Sequence, residues 1–220
     1  MTTRATPDLS LYLVTDTAVA AAAGHTLAQV VTAAVAGGVT VVQVREKRAT
    51  TQQLLETLGS VAAVLPAQVP LVVNDDVEAF LAARADGIAV AGVHVGQDDD
   101  PPADVRAAIG PSALLGLSAA TPAELGAVDP EVVDHVGIGA LRGTATKPDA
   151  PEPLGIDGMR TRVALSPVPA VAIGGITVAD ARALRGSGLA GLAVVSGICG
   201  APDPAAAARS YATAWRGTSA

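Results

Sequence analysis

The stretch "TLAQVVTAAVAGGVTVVQVREK", residues 26–47, contains one full unit of the pattern that decides the fold. Ala, Val and Leu recur at helical spacing, a glycine pair closes the run, and β-branched residues follow at once. A helix stopped by glycine and followed by an apolar strand is one step of a β/α alternation. At the end of this strand Gln43, Arg45 and Lys47 occupy alternate positions, so a period of two places them on one face.

The same alternation runs along the chain. Strand-like runs are "LYLVTD" from Leu11, "VTVVQVR" from Val39, "VPLVVND" from Val69, "GVHVG" from Gly92, "LLGLS" from Leu114, "HVGIG" from His135, "AVAIGG" from Ala170 and "GLAVVSG" from Gly191. Between them lie helical stretches such as "TTQQLLETLGSVAAVL" and "TVADARALRGSG", each opening on a threonine suited to an N-cap. Eight strands that read apolar on both faces, joined by helix-sized crossovers, predict an α/β fold closed as a single (β/α)8 TIM barrel. An open doubly wound sheet is the alternative, and the repeat number favours the closed ring. The length suits one domain over residues 1–220, interrupted only by the Pro-rich "KPDAPEPLGIDG", which reads as a surface loop.

Composition narrows the function. Half of the residues are hydrophobic but only 2% are aromatic, so Ala, Val, Leu and Ile must fill the core. A formal net charge of -7 argues against a nucleic-acid surface, because such a surface needs clustered cations. Mean hydropathy is +0.44, yet Gly, Pro, Asp or Gln breaks every apolar run before the ~18 residues that span a bilayer, which argues against a membrane protein. Cys199 is the only cysteine, so no internal disulfide forms, and "MTTRATPDLS" lacks a secretory apolar run. The default location is the cytoplasm.

A barrel gathers its chemistry at the C-terminal ends of the strands. Polar residues sit there: Gln43, Arg45 and Lys47 after strand two, Asn74 and Asp75 after strand three, Gln97, Asp98 and Asp99 after strand four, and Ser118 after strand five. Each has a plainer reading. Arg45 and Lys47 alone read as solvated charges, Asn74-Asp75 as a turn or N-cap before "DVEAFLAA", and "GQDDDPP" as an acidic helix-capping turn. Their meeting at one end of neighbouring strands changes the balance. Carboxylates facing cations at one mouth suit a metal-bound phosphate, with hard oxygen ligands on Mg2+ and Arg and Lys on the remaining charge. "AIGGIT", residues 172–177, and "VVSGI", with Ser196 and Gly197, add glycine-lined loops after strands seven and eight, the usual phosphate site of this fold. "GTATKPD" offers Thr144, Thr146 and Lys147 as further donors, or reads as a Thr-rich turn. His94 reads as a packed strand residue rather than a base, and neither it nor His25 alters the choice.

These residues resemble the thiamine-phosphate synthase family. In order, "QVREK", "ND", "GVHVGQDD", "GLS", "TATK", "IGGI" and "VS" match that family's motifs along nearly the whole chain. The resemblance implies a transferase that joins 4-amino-2-methyl-5-hydroxymethylpyrimidine diphosphate to thiazole phosphate, giving thiamine phosphate and diphosphate. It further implies that Asp75 and Asp99 bind Mg2+, and that Arg45, Lys47 and Lys147 neutralise the diphosphate and, with Ser118, are catalytic. Gln43, Val44, Glu46, Asn74 and Ser118 fall in the substrate-binding stretches, while Thr144, Ala145, Thr146, Gly175, Val195 and Ser196 surround the thiazole phosphate. Partners are then small-molecule substrates, with self-association into a homo-oligomer left open.

Two departures from the family pattern stand out. Where the family usually has a proline and an aromatic residue ahead of T-x-T-K, this chain reads "GALRGTATK", which predicts a looser loop with an added positive charge at Arg142. "ADGIAVAGVHVG" has about five residues beyond the usual spacing, and in a barrel these belong to the face away from the site. A related thiazole tautomerase, which needs no metal pair, and a non-catalytic thiazole-phosphate-binding barrel are the alternative functions.

Overall fold

The computed structural model describes residues 7–143 and 152–217. Its strands are β1 (Leu11–Val14), β2 (Val41–Val44), β3 (Leu71–Asn74), β4 (Gly92–Val95), β5 (Leu114–Ser118), β6 (His135–Ile138), β7 (Ala170–Ala172) and β8 (Gly191–Val194). Each pairs in parallel with the next and β8 closes on β1, so the sheet is a ring. Helices α1 (Thr17–Ala22) and α2 (Leu27–Ala36) follow β1, and α3 (Thr51–Ala62), α4 (Val77–Ala85), α5 (Pro102–Ile109), α6 (Pro122–Gly126), α7 (Gly155–Val163) and α8 (Val178–Ala183) each follow one of the next strands in turn. After β8 come a short α9 (Ser196–Cys199) and the long α10 (Pro204–Arg216). The fold is the expected (β/α)8 TIM barrel.

Local chemistry starts the helices where the chain leaves the sheet. Thr26, Thr50, Thr121 and Thr177 each accept from the backbone three residues on, while Gln29, Gln53, Glu124 and Asp180 reach back to complete capping boxes. Asp16, Asp76 and Asp203 cap α1, α4 and α10 in the simpler one-sided way. The segment between α4 and β4, where the chain is longer than its family pattern, lies on the rim opposite the C-terminal strand ends. There the Ala91 N–H donates to Leu71 O at 2.7 Å and Ala91 O accepts from the Leu114 N–H at 2.9 Å.

Strand pleating divides the core in two. Leu11, Leu13, Val42, Val44, Val73, Val93, Leu115, Val136 and Leu192 face the helices in one large cluster. Tyr12, Val14, Val41, Val72, Val171 and Ala193 form a smaller cluster inside the ring. Strands buried on both faces must read as continuous apolar runs, which explains their sequence.

The ring's interior is polar along β2 to β6. His94 and His135 stack obliquely with centroids 5.6 Å apart, and Tyr12 lies 5.9 Å from His135. Gly116, paired with both histidines in the strand register, makes room for them: a Cβ there would clash with His94 Nδ1 and fall 2.6 Å from His135 Nε2. His135 is 1% exposed, and neither of its ring nitrogens meets a hydrogen-bond partner among the described residues. Burial pushes its pKa down from 6.5 to about 4, against a weaker opposing pull from Asp134. Unfolded His135 therefore takes up a proton near pH 6.5, while folded His135 waits until about pH 4. Across that window the unfolded chain binds more protons, and stability falls as pH falls. Urea denaturation from pH 7 to 4.5 should show the parent losing stability relative to His135→Phe, at up to roughly 1 kcal/mol per pH unit. Parallel pH profiles for the two proteins would show that His135 carries no such penalty.

Candidate active site

The structure alters the reading of the cation stretch. β2 stops at Val44, so Gln43 lies on the strand while Arg45 and Lys47 lie beyond its end. Where the ladder ends, the Arg45 N–H donates to the Thr15 side-chain hydroxyl at 3.2 Å, and a turn follows. Gln43 is 4% exposed and donates through Nε2 to the Tyr12 hydroxyl at 3.1 Å, which fixes its amide at the floor of the mouth. Glu46 accepts a hydrogen bond from the Thr17 hydroxyl at the start of α1. Lys47 is exposed, with Nζ 3.8 Å from Asp75 Oδ2. So open an ion pair adds little to stability, and its ammonium is available to another anion.

The acidic pair follows from the turn after β3. Asp76, rather than Asp75, caps α4 by accepting from the Ala79 N–H at 2.7 Å. Asp75 adopts a left-handed backbone, φ 62°, and its N–H donates to His94 O at 2.8 Å. Its carboxyl lies close enough to Asp99 for the two groups to act on each other electrostatically. Burial first, then the nearby Asp99 carboxyl, push the Asp75 pKa from 3.8 up to about 6, although Lys47 and Asn74 pull the other way. Asp99 accepts from the Gly96 N–H at 2.6 Å, so it closes the turn after β4 and faces Asp75 at once. Two carboxylates held against their own repulsion fit a hard divalent cation. Among the described residues no group of three or more metal-ligating side chains occurs, so water and substrate oxygens would complete the shell.

Asn74 ends β3, half-buried and in register with His94. Ser118 ends β5; its hydroxyl lies 3.1 Å from His94 Nε2, and its carbonyl accepts from Gln97 Nε2 at 2.7 Å. His94 is thus a support for Ser118, in keeping with its reading as a packed strand residue. The structure brings Gln43, Asn74, Asp75, Asp99 and Ser118 onto one rim, with Val44 buried behind them.

Across the mouth, Gly174 and Gly175 follow β7 with φ 92° and 65°. Two causes require glycine at Gly175: the left-handed backbone, and the crowding that would leave a Cβ 2.9 Å from both Arg142 Cβ and Gly143 O. Val195 and Ser196 start α9 beside them. α8 and α9 are short, so their helix dipoles contribute little and backbone N–H groups must supply any anion cradle. Thr144, Ala145, Thr146 and Lys147 lie outside the described residues.

The described part of the loop expected to be loose, up to Gly143, is tied down. The Leu141 and Arg142 N–H groups donate to Ile173 O and Gly174 O at 2.9 and 3.0 Å. Arg142 also forks onto Asp180, Nε to Oδ2 at 2.9 Å and Nη2 to Oδ1 at 2.6 Å, so its added charge is balanced. Arg142 holds the Asp180 carboxyl down at about 2. No motif singles out Tyr12, Thr15, His135 or Asp180. The two glycines inside β5 and β6 were the available signal for the histidine pair, since strand glycine marks close approach.

Comparison with known proteins agrees with this geometry. The thiamine monophosphate synthase family matches residues 11–198. A thiamine-phosphate synthase of Xanthobacter autotrophicus is 46% identical over 94% of this chain and 95% of its own. One from Solidesulfovibrio magneticus is 52% identical over 92% and 93%. Among solved structures, a thiamine phosphate pyrophosphorylase from Pyrococcus furiosus superposes with a TM-score of 0.82 at 28% identity, covering 95% of this chain and 96% of the other. Matched over almost its whole length, the chain belongs to the thiamine monophosphate synthase family.

Proposed function

We propose that this chain is a transferase of thiamine biosynthesis that condenses the aminopyrimidine diphosphate with thiazole phosphate and releases diphosphate. The observation that supports this most directly is the facing pair Asp75 and Asp99 beside Lys47, at the C-terminal rim of a barrel of this family. A phosphate cradle alone would serve a protein that only binds thiazole phosphate. A second, charge-dense site beside it suits a diphosphate leaving group.

The chemistry needs no strong base. The C–O bond between the pyrimidine methylene and the diphosphate breaks, the electron pair leaves with the diphosphate, and the ring amino group stabilises the resulting cation. The thiazole nitrogen lone pair then forms the new C–N bond, and no proton has to move. The protein's task is to hold the two rings in line and to stabilise charge as it departs. Gln43, Asn74 and Ser118 orient the pyrimidine, with Val44 and Glu46 shaping the same stretch. Arg45, Lys47 and Lys147 take up diphosphate charge. Asp75 and Asp99 would hold Mg2+, which would supply Lewis-acid neutralisation of the leaving group. Gly175, Val195 and Ser196 take the thiazole phosphate through backbone and hydroxyl donors, together with Thr144, Ala145 and Thr146. Substrates of this kind are small and soluble, and we place the reaction in the cytoplasm.

Incubating the protein with both substrates and Mg2+ should yield thiamine phosphate and diphosphate in equal amounts, and binding of thiazole phosphate without diphosphate release would contradict the proposal. Arg45→Ala should lower kcat by roughly 10²-fold with the thiazole KM little changed, because charge on the leaving group matters most in the transition state. Weakened binding of both substrates with intact turnover would contradict that role. Gly175→Ala should raise the KM for thiazole phosphate ~10-fold or more, since its Cβ both strains a left-handed turn and pushes the cradle off Arg142. A folded Gly175→Ala protein with parental thiazole kinetics would remove Gly175 from the site.

A further inference from the structure

We propose that Arg142 and Asp180 form a clamp that positions the glycine loop 173–177 for the thiazole phosphate, so that Arg142 is a positioning residue for this site rather than a contact to substrate. The inference rests on the reading of Gly175 as part of that cradle.

Three contacts carry it. First, the ion pair joins two different β/α loops: Arg142 follows β6, whereas Asp180 lies in the first turn of α8, 38 residues later. Its geometry is a two-pronged fork onto one carboxylate, which fixes direction as well as distance. Second, that carboxylate is 2% exposed and also accepts from the Thr177 N–H at 3.0 Å and the Thr177 hydroxyl at 2.7 Å. One buried group therefore caps α8 and anchors the neighbouring loop. Third, the Arg142 N–H donates to Gly174 O, so the backbone and side chain of one residue grip both ends of the glycine turn. On the far side the Tyr211 hydroxyl of α10 donates to Ile176 O at 2.9 Å, and the turn is held between the two. Among the described residues the Gly175 N–H meets no acceptor.

This explains how the chain tolerates the departure in "GALRG". A proline and an aromatic ring would stiffen the loop through its own backbone and packing. Here an arginine stiffens it from across the mouth, through a charge partner in the next loop. Lysine could not replace it, because an ammonium cannot fork onto both oxygens.

The test combines calorimetric binding of thiazole phosphate with steady-state kinetics and thermal denaturation for Arg142→Ala, Arg142→Lys, Asp180→Asn and the Arg142→Ala/Asp180→Asn double variant. Each single variant should weaken thiazole phosphate binding ~10-fold and raise its KM alike, with the pyrimidine diphosphate KM within about 2-fold of the parent. The double variant should be no worse than the poorer single, because the second change removes a contact already lost. Variants that melt earlier yet bind thiazole phosphate like the parent would reduce the pair to a structural role and overturn the clamp. Additive losses would overturn it as well. A parent that binds no thiazole phosphate would instead bring down the reading of the cradle, and the clamp with it.

Discussion

Closing eight parallel strands into one ring forces half of every strand's side chains into a single narrow cylinder. Nothing in that cylinder can turn to solvent except at its ends, so an inward polar group must find a partner or sit at the rim. Apart from His135, whose buried ring nitrogens meet no partner among the described residues, the protein obeys this constraint in layers. Val41, Val72, Val171 and Ala193 fill the ring with small apolar groups. Gln43 leans on Tyr12, and His94 on Ser118, one step nearer the mouth. Above them the carboxylates of Asp75 and Asp99 stand where water and ligand can reach. Chemistry is confined to one rim because only there can charge be hydrated or paired.

The rim itself is divided. On the β2 to β5 side the donors and acceptors are side chains: two amides, a hydroxyl, two carboxylates and an exposed ammonium. On the β7 to β8 side they are backbone groups on glycine-rich turns. This suits two substrates with different demands. A diphosphate that must leave requires charge that responds to its departure, whereas a monophosphate that stays needs only a rigid cradle. Rigidity on the second side comes from contacts between loops, from Leu141 and Arg142 on one flank and Tyr211 on the other.

Much of this was legible in the sequence, for a physical reason. Strand and helix periods are local properties, and so is the tendency of Thr and Asp to cap, so the β/α alternation could be read directly. Once a barrel is accepted, strand ends and site coincide, and Asn74, Asp75, Asp99 and Ser118 follow. What could not be read depends on a distant partner. β2 ends where the hydroxyl of Thr15, just past the neighbouring strand, captures the Arg45 N–H, so regular strand alternation stops short of Arg45 and Lys47. Which of Asp75 and Asp76 caps α4 is settled by the left-handed turn at Asp75. The loop before Thr144 looked loose because the partner of Arg142 is 38 residues away. His135 drew no attention because its meaning lies in Gly116, on the next strand.

In the proposed reaction, diphosphate departure depends on a cation held by Asp75 and Asp99 together. Asp99→Asn tests it most directly, since it keeps the side chain's shape and one oxygen while removing the charge that attracts the metal. The measurement is the rate of diphosphate release as Mg2+ is titrated, with both substrates saturating. The account predicts a curve displaced to roughly 10-fold or more higher Mg2+, with partial recovery at the top of the range and near-complete loss in chelator. A variant with the parent's Mg2+ dependence, or a parent that turns over fully in chelator, would contradict it.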